Sequence, residues 1–135
     1  VYRVRVTGLE NIPRTGAAMI CPNHVSFIDG LMLMMHIPRL TRFIVYADFV
    51  NHPKLNWLAR IYEVIPIKAD GGPKSLIQSL KTAREALNTG SLVCIFPEGA
   101  LTRTGQLQQF QPGMLKILQG TGAPVIPVYL HGLWG

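Results

Sequence analysis

The fold class predicted for this chain is α/β, a mixed, largely parallel sheet flanked by helices. Short apolar runs of strand length alternate with stretches of helical length, the pattern of βαβ units. Some of the runs are apolar without alternation, as in strands buried on both faces. A length of 135 residues suits one domain with a real core, so residues 1–135 read as a single domain.

Taken in order, Tyr2 to Val6 alternates and stops at Thr7-Gly8, which predicts an edge strand with Arg3 and Arg5 outward. Ala17 to Cys21 is a buried strand. Phe27 to Ile37 has helical length and ends before Pro38. Arg42 to Tyr46 is a short strand, Lys54 to Ile61 a helix after Pro53, and Val64 to Ile67 a strand interrupted by Pro66. The clearest helix runs from Pro73, suited to the first helical position, to Asn88, with Gly90 as its stop. Leu76, Ile77, Leu80, Ala83 and Leu87 share one face of it. Ser91 to Phe96 is a strand, Met114 to Leu118 a helix, and Pro124 to Leu130 the last strand.

Thirteen Lys and Arg against seven Asp and Glu leave a net charge of +6, which favours anionic partners. The cations are scattered from Arg3 to Lys116 with no aromatic-interleaved basic stripe, which argues against nucleic acid. No apolar stretch approaches the roughly 20 residues of a membrane span, and no signal peptide is visible. The chain starts at Val1 rather than Met and reads as a piece of a longer polypeptide, so that a span could lie outside it. Cys21 and Cys94 sit inside apolar runs and read as buried, reduced thiols, which suits a reducing compartment. No Cys or His pair has zinc-ligand spacing, and no metal or bound cofactor is expected.

Two strand ends carry polar residues that strands do not need: Asn23-His24-Val25-Ser26-Phe27-Ile28-Asp29 and Phe96-Pro97-Glu98-Gly99. In a parallel sheet both belong to the carboxyl edge, where ligands gather. Ser26 and Asp29 form a Ser-x-x-Asp capping box with Ser26 as N-cap. Inside one helix, residues five apart point about 140° from each other. A loop-to-helix junction instead lets His24 fold back, so that Asp29 accepts a proton from one ring nitrogen and the other is free as a general base. Bland readings stand beside this one: Asp29 as a cap only, His24 as a loop residue on a backbone partner, Glu98 as a solvated turn residue. Leu31 to Met35 reads either as core or as a wall for a flexible apolar ligand. Phe49, Trp57 and Leu58, flanked by Lys54 and Arg60, read either as an interfacial membrane patch or as packing under the sheet.

Together these blocks resemble the glycerophospholipid acyltransferase family, which includes the lysophosphatidic acid acyltransferases. Asn23 to Asp29 matches its His-x4-Asp signature, Phe96 to Gly99 its Phe-Pro-Glu-Gly block, and Val125-Ile126-Pro127-Val128 its later apolar-Pro block. The resemblance implies that His24 deprotonates an acceptor hydroxyl, that Asp29 orients His24, and that the hydroxyl attacks an acyl-CoA or acyl carrier protein thioester with no acyl-enzyme. It implies Glu98 and Gly99 as holders of the acceptor's glycerol phosphate, with Asn23 and Ser26 from the His24 loop among the substrate-binding residues. The family's phosphate-binding Arg positions read differently here: Lys68 is the nearest cation after Val64 to Ile67, and Leu101 replaces one Arg, with Arg103 two residues on. The arrangement also resembles the acyltransferase domain of bifunctional bacterial proteins that re-acylate lysophospholipids, fused to an acyl-carrier-protein synthetase. Implied partners are the thioester donor, a lysophospholipid acceptor and the cytoplasmic face of a membrane, with attachment peripheral or through segments outside this chain. The rival from another class is a non-catalytic lipid-binding or membrane-tethering module on the same fold.

Overall fold

The computed structural model describes residues 3–68 and 71–134. Five strands form one sheet: β1 (Ala18–Pro22), β2 (Thr41–Tyr46), β3 (Ile65–Ile67), β4 (Leu92–Cys94) and β5 (Val125–Val128). Their order is β3-β2-β4-β1-β5, and all four neighbouring pairs are parallel. Five helices connect them: α1 (Asp29–His36), α2 (Ala47–Val50), α3 (Asn56–Ile61), α4 (Gly72–Asn88) and α5 (Gly113–Leu118).

The apolar runs become strands because both of their faces are covered. Met19, Cys21, Ile44, Ile65 and Val93 point into a core with Leu80, Ala83, Ala86 and Leu87 of α4 and Ile117 of α5. Ala18, Ile20, Phe43, Leu92 and Cys94 point the other way, against Leu33 of α1 and Ile37 just after it, with Tyr62 and Val64 packed alongside. Alternation along the strands therefore puts Cys21 and Cys94 on opposite faces. Both thiols are free and buried. Burial pushes the Cys21 thiol up to about 11, and it also pushes the Cys94 thiol well up, with a smaller contribution from Cys21.

Each edge strand carries a proline, Pro66 in β3 and Pro127 in β5. A proline cannot donate to a ladder, so it is tolerated at an edge and blunts it against further pairing. This explains why the edge strand expected over Tyr2 to Val6 does not form. Both edges are already closed by β3 and β5, and residues 3–7 run as exposed irregular chain; Tyr2 lies outside the described residues. The apolar face expected on α4 is buried only from Leu80 onward. Leu76 and Ile77, in its first turns, are exposed.

The connections set the location of the site. From β1 the chain crosses through α1, on one face, to β2; from β4 it crosses through α5, on the other face, to β5. β1 and β4 are neighbours, so the carboxyl edge between them is a topological switch point, where a crevice opens because the two connections diverge. The β1–β4 register ends at Ile20 and Cys94, whereas β1–β5 continues to Pro22 and Val128.

Candidate active site

His24 stands in the loop that leaves β1 at this crevice. The loop turns back at Phe27 and Ile28, so that Asp29, the first residue of α1, comes under the His24 ring. His24 Nδ1 lies 2.9 Å from Asp29 Oδ2. The same oxygen accepts the backbone N–H groups of Val25 at 2.6 Å and Ser26 at 2.9 Å. An oxygen that accepts two N–H bonds presents itself to the ring as an acceptor, so Nδ1 carries the proton and Nε2 has its lone pair free. Asp29 is fully buried, while the His24 side chain is 23% exposed. The ring stacks on Phe96, with centroids 4.1 Å apart.

The capping box takes a different form from the one expected. Helix α1 starts at Asp29 with Ile28 as its N-cap, and no side chain caps it. Ser26 Oγ accepts only from Ile28 N–H, at 3.4 Å. The reciprocal half survives, in that Asp29 reaches back to the Ser26 N–H, because the carboxylate serves the histidine loop rather than the helix end.

Glu98 occupies the turn after β4, on the other side of the crevice. It is 4% exposed and does not open onto the cleft as expected. Its Oε1 accepts the His24 backbone N–H at 2.8 Å, and its Oε2 accepts the Gln108 N–H at 2.7 Å. Gly99 follows in a left-handed conformation, φ 74°, where a Cβ would press on Gln111 at 3.1 Å. Its carbonyl accepts the Tyr46 hydroxyl at 2.9 Å. Asn23 has both ends of its amide on Leu130, donating to its carbonyl at 3.0 Å and accepting its N–H at 2.6 Å. Asn23 thus extends the β1–β5 pairing beyond the last ladder residue. Ser26 and Arg103 remain near the crevice with polar ends not tied down in this way. Arg103 is exposed and follows Thr102, whose N–H donates to the His24 carbonyl at 3.0 Å. Lys68 is exposed just past β3, on the same edge but three strand positions from β1, about 14 Å at normal strand spacing.

Sequence reasoning assigned no role to Tyr46, Thr102 or Gln108, and none to Phe96 as the stacking partner of the histidine. Tyr46 and Phe96 carried a signal, since each stands where an apolar run ends on the carboxyl edge. Thr102 and Gln108 carried none, because both act through the backbone. A groove of about 680 Å³, lined by Leu9, Ile12, Pro13 and Arg39 among others, lies away from this site.

The fold and this histidine–carboxylate junction define a family. The chain belongs to the Acyltransferase family, whose sequence profile matches residues 3–131. Among curated proteins it is similar to two chloroplastic 1-acyl-sn-glycerol-3-phosphate acyltransferases. The one from Arabidopsis thaliana is 31% identical over 97% of this chain and 36% of that protein; the one from Brassica napus is 31% identical over 97% and 38%. The crystal structure of the 1-acyl-sn-glycerophosphate (LPA) acyltransferase PlsC from Thermotoga maritima superposes with a TM-score of 0.76 at 30% identity, over 93% of this chain and 48% of that one. The chain therefore spans between about a third and a half of the length of these relatives.

Proposed function

We propose that this domain transfers a fatty acyl group from a thioester, acyl-CoA or acyl carrier protein, to the free hydroxyl of a lysophospholipid, with 1-acylglycerol 3-phosphate as the first acceptor to test. The observation that carries this reading is the His24–Asp29 pair at the switch point, with Nδ1 held at 2.9 Å and the ring reachable from solvent. The acceptor named for the relatives supports the acceptor class.

The chemistry follows from the pair. Nε2 of His24 takes the acceptor hydroxyl proton as the oxygen attacks the thioester carbonyl. The carbon–sulfur bond then breaks, and the proton passes from His24 to the leaving thiolate. Asp29 keeps the ring in the tautomer that makes Nε2 basic and stabilises the imidazolium. A thioester is already activated, so general base catalysis worth about 10²–10⁴-fold, with positioning, is a sufficient demand. Arg103 and Ser26 are our choice for the acceptor's phosphate side, with Lys68 reserved for groups reaching further along the edge. The acceptor's acyl tail places the domain at a membrane surface. Among the described residues no helix is long and apolar enough to cross a membrane. Exposed Phe49, Trp57 and Ile61 beside Lys54 and Arg60 support an interfacial patch, and exposed Phe27, in the turn before α1, with Leu31 and Met35 one turn apart on α1, supports an apolar path from His24.

The test is acyl transfer across a panel of lysophospholipids and glycerol 3-phosphate, with free thiol release as the second readout. His24→Ala should abolish transfer in a protein that still folds, as read by circular dichroism. Near-normal turnover in that variant would sink the mechanism. Binding of lysolipid without thiol release in the wild-type protein would favour the non-catalytic alternative.

A further inference from the structure

We infer that Glu98 is a positioning residue for His24, acting through the backbone rather than on a substrate; this deepens the reading of His24 as the base and rests on it. The β1 ladder ends at Pro22, so two residues later His24 has no strand partner for its own N–H or C=O. The segment after β4 supplies both: Glu98 Oε1 takes the N–H at 2.8 Å, and the Thr102 N–H meets the C=O at 3.0 Å. The other carboxylate oxygen takes the Gln108 N–H at 2.7 Å. One buried carboxylate thus ties the histidine loop to the chain between β4 and α5. That stretch has no helix or strand of its own among the described residues and depends on such ties. Further ones run from Thr102 Oγ1 to the Gln106 carbonyl, from Gln108 Nε2 to the Ala100 carbonyl and from Gln111 N–H to the Pro97 carbonyl.

The consequence for the ring is direct. A histidine side chain has two torsions, and here the ring is held at Nδ1 by Asp29 and on its face by Phe96. With those contacts set, the position of Nε2 follows from the position of the His24 backbone, which Glu98 fixes. Phe96 and Glu98 are two residues apart in one turn, so the same turn supplies the stack and the clamp. A role in gripping the acceptor is disfavoured on two counts: both carboxylate oxygens are engaged within the protein, and a carboxylate repels a phosphate.

Glu98→Gln tests this in the full-length protein. The amide has the same size but one acceptor oxygen, so one of the two backbone N–H groups must face another donor. Displacement of a reacting group by about 1 Å can cost on the order of 100-fold. The expected result is a fall in kcat of roughly 10- to 100-fold with KM for the lysolipid unchanged within about twofold. Amide hydrogen exchange at His24 should quicken by at least about tenfold in the same variant, since its protecting bond is weakened. A raised KM at unchanged kcat would overturn the inference and return Glu98 to the acceptor. So would wild-type kinetics, or a loss of kcat with His24 exchange unaltered. Glu98→Asp keeps both oxygens but is a methylene too short to span the two N–H groups, and it should reproduce both effects if the other variant does not fold. Absence of transfer in the wild-type protein would instead defeat the proposed function, and the exchange comparison would still decide whether the clamp exists.

Discussion

Asp29 Oδ2 collects three donors, from the His24 ring, the Val25 amide and the Ser26 amide, in a fully buried position. A single oxygen with three N–H groups around it is held there by its negative charge. Asp29→Asn keeps the shape and removes that charge, and it lets the amide turn a donor toward the ring. The ring is then no longer forced to keep its proton on Nδ1. We expect kcat to fall by about 10²–10⁴-fold, against a stability loss of about 1–3 kcal/mol from the weakened loop. Steady-state kinetics beside urea unfolding separate the two effects. A variant that loses stability but keeps kcat would show Asp29 to be a loop fastener alone. The local sequence left that choice open, because Ser-x-x-Asp is also an ordinary helix-start pattern.

At the scale of elements, the two edges of the sheet divide the labour. The carboxyl edge holds the polar junction; the amino edge is locked by Arg39. Its guanidinium donates to the carbonyls of Pro13 at 2.9 Å, Gly16 at 2.7 Å and Gly90 at 2.8 Å. Gly16 precedes β1, Gly90 precedes β4 and Arg39 precedes β2, so one side chain ties together the entries to three adjacent strands. Arg39→Ala should cost about 1–3 kcal/mol in urea unfolding by leaving those carbonyls without their charged donor. Transfer rates at low temperature should stay near wild type, since the lock lies at the end of the strands away from His24. Loss of kcat without loss of stability would show that the edges are coupled. Element identity was readable from apolar run length and from Pro and Gly punctuation. Most elements are shorter than their apolar runs, because a ladder or helix ends where its partner ends, and that limit is not written in the run.

At the scale of the whole molecule, charge and apolar exposure point outward together. Net charge is +6, and Trp57 is 60% exposed with Lys54 and Arg60 close by in sequence. The indole N–H is held by the Lys54 carbonyl at 3.0 Å, which keeps the ring on the surface. Each cation near an anionic bilayer contributes about 1 kcal/mol, and the attraction is screened over about 8 Å at physiological ionic strength. We expect co-sedimentation with anionic vesicles at low salt, release as salt rises, poor binding to neutral vesicles and weaker binding after Trp57→Ala. Equal binding to neutral and anionic vesicles would assign the basic surface to the phosphates of CoA or the acidic face of an acyl carrier protein. Binding to neither would remove this surface from membrane docking.

The local sequence was enough to show most element types and the two polar strand ends, and it offered the His24 fold-back onto Asp29 as one of its readings, because each depends on residues within a turn or two of one another. Tertiary structure alone decided that β1 and β4 are neighbours, which brings positions 24 and 98 together across 74 residues of chain. It also decided what Glu98 does. Between Pro97 and Gly99 a glutamate reads as a solvated turn residue or a substrate ligand. It is buried instead, because the loop carrying His24 and the chain around Gln108 close over it from distant parts of the sequence, and a buried carboxylate must find its donors there.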